Sequence, residues 1–169
     1  MNKKAILGIG LVTIAVMAIL IWFGQPVAED VATADDSNTP ESTLKAQETS
    51  FDFGTISMAK GKVNHAYTVT NTGTDPVTIN KVYTSCMCTT ASFVSNGKTY
   101  GPFGMPGHTA IPSIDVSLAP GATAQIEAVF DPAAHGPSGV GVMDRVVYLE
   151  TNSAQSSTLE LNIRAMVTN

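Results

Sequence analysis

From Leu44 onward, apolar and polar residues alternate in short runs broken by turn residues. Phe51-Asp52-Phe53-Gly54-Thr55-Ile56 alternates and stops at Ala59-Lys60-Gly61-Lys62. Residues 63–70 (VNHAYTVT) alternate again and end at Asn71-Thr72-Gly73-Thr74-Asp75-Pro76, a dense cluster of turn formers. The runs at 77–84, 121–130, 144–151 and 157–167 follow the same habit. Side chains of an extended chain point alternately to opposite faces, so each run offers one face to a core and one to water. No window shows a sustained helical stripe. Strands at this spacing predict an all-β, antiparallel β-sandwich for residues 47–169.

The N-terminus breaks the pattern. Residues 5–24 (AILGIGLVTIAVMAILIWFG) carry no charge, and Lys3 and Lys4 precede them. A helix rising ~1.5 Å per residue over that length spans a ~30 Å hydrocarbon core. Trp22 and Phe23 fall where interfacial aromatics belong, and no lysine follows until Lys45. Residues 1–24 therefore read as a single-pass signal-anchor, with the N-terminus cytoplasmic and the C-terminal domain extracytoplasmic. A cleaved signal peptide is the competing reading, but its small-x-small site, Ala32-Thr33-Ala34, lies well past the apolar run. No cysteine stands just after the run, which excludes a lipoprotein. Residues 25–46 read as an acidic disordered linker. Glu29, Asp30, Asp35, Asp36 and Glu41 face no basic residue before Lys45, and little is available to bury.

Charge narrows the function classes. The chain has a net charge of −5 and only 14% charged residues, so no basic face for nucleic acid is expected. No nucleophile elbow, HExxH, phosphate loop or clustered carboxylate pair occurs, and no small-molecule substrate is evident. Asp115, Asp131 and Asp144 are scattered. The expectation is a protein that is not an enzyme.

The chain's two cysteines lie one residue apart in Ser85-Cys86-Met87-Cys88-Thr89-Thr90, after a strand-like run. Continued strand geometry would turn both sulfurs one way and Met87 the other. Thr90 to Ser95 then reads as a short strand running back. On that parity, the Gly/Pro-rich segment with His135 opens at the same end as the cysteines. Two soft thiolates with a thioether and imidazoles suit Cu(I), or Zn(II) without the methionine. The candidate ligands are Cys86, Cys88, Met105, His108 and His135, with Met87 and Met143 as outsiders. Met105 and His108 lie on a long loop, 91–108, able to reach either end. Two other readings of the cysteines stay open: a strained, easily reduced disulfide, and plain packing at a strand end. His65, mid-strand, reads as structural.

Several short motifs carry a resemblance. Phe51-x-Phe53-Gly54, Asn71-Thr72-Gly73, Ser85-Cys86-x-Cys88-Thr89, Leu118-Ala119-Pro120-Gly121 and Val129-Phe130-Asp131-Pro132 occur in order. The segment from Thr49 to Val167 resembles a bacterial family of domains of unknown function, related to the Hydin and major-sperm-protein type of immunoglobulin-like sandwich. That resemblance implies the fold and an extracytoplasmic setting, and assigns no chemistry. Two functions from different classes follow. One is a membrane-tethered domain binding a soft metal ion, copper above all. The other is an interaction module for a protein of the cell envelope.

Overall fold

The computed structural model describes residues 41–169. The expected signal-anchor at 1–24 and most of the expected linker lie outside them. Among the described residues no helix is long and apolar enough to cross a membrane.

The described chain is an all-β sandwich of two five-stranded sheets. Its strands are β1 (Leu44–Ala46), β2 (Ser50–Ser57), β3 (Val63–Asn71), β4 (Val77–Thr84), β5 (Thr89–Ser95), β6 (Lys98–Phe103), β7 (Val116–Leu118), β8 (Thr123–Phe130), β9 (Gly141–Thr151) and β10 (Thr158–Thr168). One sheet has the order β1-β3-β8-β5-β6 and the other β2-β10-β9-β4-β7. The inward residues of the alternating runs meet between them: Tyr67 and Val69, Val77, Ile79 and Val82, Ile126 and Ala128, Val147 and Leu149, Leu161 and Ile163 are all buried. Removing such side chains from water supplies the driving force, at about 25 cal/mol per Å².

Three expectations are corrected. The linker does not extend to residue 46. Leu44 is 2% exposed, and β1 pairs with β3 through Leu44↔Asn71 and Ala46↔Val69. Even Glu41 is tied to the sandwich, its carbonyl accepting from Thr74 N–H at 2.8 Å. One buried leucine and a short ladder are enough to order a segment whose composition is otherwise polar. Second, the sandwich is not wholly antiparallel, because β10 pairs with β2 in parallel. Third, 91–108 is not one long loop: β5 and β6 form a hairpin with Ser95 opposite Lys98. Its turn is Asn96-Gly97, with φ of 51° and 73°, the geometry that makes Asn-Gly the strongest short hairpin signal.

One irregularity positions the site. The β4–β9 register shifts between Ile79 and Lys81. Before it, Val77 and Ile79 are buried; after it, Val82 and Thr84 are. An extra residue in one strand flips every later side chain to the other face. The bulge thus gives Thr84, the last residue of β4, the parity of the core.

Candidate functional site

The cysteine motif is a turn, not a continued strand. Thr89 N–H donates to the Cys86 carbonyl at 3.1 Å. The buried Thr84 hydroxyl bonds the carbonyls of Cys86 at 3.1 Å and Thr89 at 2.9 Å, bracing the turn from beneath. The expected outcome nevertheless holds for a different reason. The turn brings Sγ of Cys86 and Cys88 to 2.8 Å, while Met87 is 50% exposed. Cys88 is 2% exposed and packs with Phe130, Ala165 and Val167, and half-buried Cys86 lies against the same group.

His135 arrives as the strand parity predicts. Strand β5 runs antiparallel to β8, with Thr89 opposite Phe130. The chain leaving β8 is pinned beside the cysteines where Asp131 N–H donates to the Cys88 carbonyl at 2.8 Å. Asp131 Oδ1 accepts from Ala133 N–H at 3.0 Å and starts the turn. Gly139 lets the loop fold back, since a Cβ there would stand 3.1 Å from the His135 Cβ. His135 Nε2 ends 3.1 Å from Cys86 Sγ. Cys86, Cys88 and His135 present ligand atoms within 4.8 Å of one another.

His108 is not part of that group. It is exposed on a turn, its N–H donating to the Met105 carbonyl at 3.1 Å. Met105 is half-buried one residue after Gly104, whose carbonyl accepts from Thr84 N–H at 3.0 Å. The backbone at Met105 therefore passes the end of β4. His65 stacks on Phe51, with ring centroids 3.6 Å apart, and its Nε2 lies 2.7 Å from Glu48 Oε1.

Arg145 is the site residue that sequence reasoning missed. It lies on β9 in phase with buried Val147 and Leu149, so it faces the core side at the cysteine end. Its Nε donates to Cys88 Sγ at 3.0 Å, and a terminal nitrogen reaches Met143 Sδ at 3.0 Å. Burial alone would raise the Cys86 thiol. Hydrogen bonds from Cys88 and His135 and the Arg145 charge outweigh it, lowering the thiol to about 7. Burial pushes the Cys88 thiol up, as does its bond to Cys86, against the opposite pull of Arg145. The pair is thus polarised, with Cys86 the thiolate and Cys88 the S–H donor. Burial acts to lower Arg145, but its bond to Cys88 and the nearby sulfur charge raise it, so the guanidinium stays charged.

Comparison with known proteins places the fold and no more. Residues 44–101, from β1 into β6, match the family described as "Protein of unknown function (DUF1573)". No curated protein matches the chain. Among solved structures, a protein of unknown function from Porphyromonas gingivalis W83 superposes with a TM-score of 0.55 at 15% identity. The match covers 74% of this chain and 46% of that one, so this chain spans less than half of its relative. The Vibrio cholerae VesB protease (TM-score 0.46, 14% identity) is matched over 76% of this chain and 32% of its own. The PapD-like domain 7 of human CEP192 (TM-score 0.45, 15% identity) is matched over 86% and 97%.

Proposed function

We propose that the domain binds one soft metal ion, Cu(I) above other metals, through Cys86, Cys88 and His135. The single observation that carries this reading is the convergence of two thiol sulfurs and an imidazole nitrogen within 4.8 Å at one end of a rigid sandwich. Two thiolates and one imidazole form a donor set matched to Cu(I), and Zn(II) would need a further ligand such as water. With metal–sulfur bonds of about 2.3 Å, the two sulfurs would open by roughly an ångström to admit the ion. Arg145 offsets the second negative charge of a dithiolate site. On this reading residues 5–24 tether the domain to the outer face of a membrane, where it buffers or delivers the ion. Kinship with Hydin and major-sperm-protein sandwiches would describe its scaffold, not its chemistry.

The test is an anaerobic Cu(I) competition titration of the reduced full-length protein in detergent. We expect one-to-one binding that His135→Ala weakens and Cys86→Ser/Cys88→Ser removes. Equal affinity in all three proteins would refute the site.

A specific observation favours a second reading, an interaction module docking an envelope protein. Met87, Val140, Val142 and Met166 are the exposed large hydrophobics among the described residues. Met87 lies between the cysteines, Val140 follows the His135 turn, and Val142 pairs with Met166 at the same end. Crosslinking that captures one envelope protein, lost on Met87→Ser/Val142→Ser and indifferent to metal, would support this reading over the first.

A further inference from the structure

A third sulfur stands beside the pair. Met143 lies on β9 two residues before Arg145, hence on the same side of the strand. It is half-buried and packs against the group that contains Cys88, with Cys86 against the same group. Its register partner on β10 is Ala165, whose small side chain leaves the thioether room. The decisive contact runs through Arg145. One planar guanidinium donates from Nε to Cys88 Sγ and from a terminal nitrogen to Met143 Sδ, both at 3.0 Å. Those two nitrogens share a carbon, so the fork holds both sulfurs at one rigid edge.

We infer that Met143 is the fourth ligand of the ion held by Cys86, Cys88 and His135, with Arg145 as the residue that positions its thioether. The inference rests on the metal reading of those three residues. A methionine side chain is flexible, and ordering it would ordinarily oppose binding. Here the guanidinium bond has already placed the sulfur. A thioether is neutral and soft, so it adds a bond to Cu(I) without adding charge, and it is a poor ligand for Zn(II). Met143 would therefore set metal selectivity, while the thiolates set affinity for soft ions in general. Met58 also packs against this group, but its methyl end is turned toward Gly139. It serves as the control thioether.

The experiment compares reduced full-length wild type, Met143→Leu and Met58→Leu in detergent without oxygen. Affinities for Cu(I) and Zn(II) are measured by chelator competition, and the sulfur shell is counted by copper-edge X-ray absorption. Met143→Leu should weaken Cu(I) by about tenfold or more, a free-energy step of about 1.4 kcal/mol. It should leave Zn(II) unchanged and reduce three sulfurs to two, while Met58→Leu matches wild type. Selenomethionine protein gives a readout without substitution, in the form of a copper–selenium neighbour at bonding distance. Unchanged Cu(I) affinity and sulfur count in Met143→Leu, or equal loss of Cu(I) and Zn(II), would overturn the role of Met143 alone. Failure of the reduced wild type to bind Cu(I) would overturn the three-residue site as well.

Discussion

At the residue scale the cysteines are chemically unequal, and their neighbours make them so. Cys86 is half-buried and its thiol is lowered to about 7, whereas Cys88 is buried and its thiol is raised. Thiolate is the reactive form, so iodoacetamide should modify Cys86 first. The rate should climb through a midpoint near pH 7 and fall as acid protonates the sulfur, as read by mass spectrometry of peptides from metal-free protein. Equal labelling of both thiols would contradict the assignment. Arg145→Leu removes the charge that favours the thiolate, so the midpoint should move upward. The same variant should lose about 10–100-fold in Cu(I) affinity, the usual cost of removing a group that supports a ligand. The cysteine pair was plain in the sequence, and His135 could be placed by counting strand parity. Arg145 was hidden because an arginine opening a strand reads as solvent-facing. Its signal was available in the shared phase of Arg145, Val147 and Leu149.

At the element scale the sandwich was legible from alternation, while its interruptions were not. The bulge in β4 falls at Asn80, which in sequence reads as one more polar position of the alternating run 77–84, yet it decides that Thr84 faces inward. The cysteine turn was hidden for a related reason, since Thr84 fastens it through two carbonyls that only the folded chain brings together. Asn96-Gly97 signals the β5–β6 hairpin, but the glycines and prolines of residues 101–107 mask its second strand. Gly97→Val places a β-branched residue at φ 73° and should cost about 1–2 kcal/mol in urea unfolding. The β1 strand was concealed by its polar surroundings. Leu44→Ala should cost about 2–4 kcal/mol by the same measurement, as expected for truncating a buried leucine. No change would mean that the segment from Leu44 belongs to the linker after all.

At the scale of the whole molecule, the site lies where β4, β5, β8 and β9 end or begin together, so metal binding should be coupled to the stability of both sheets. Free Cu(I) at a hundred times its dissociation constant should add at most about 2.7 kcal/mol to unfolding, because Cys86 and Cys88 stay neighbours in the unfolded chain and only folding brings His135 to them. The anaerobic melting temperature should rise by several degrees in wild type and stay put in Cys86→Ser/Cys88→Ser. The most direct measurement is anomalous diffraction at the copper edge from crystals of the Cu(I)-loaded, reduced protein. The account predicts one peak at about 2.3 Å from Sγ of Cys86 and Cys88 and about 2.0 Å from His135 Nε2. A peak elsewhere, or a Cys86–Cys88 disulfide with no peak beside it, would contradict the account.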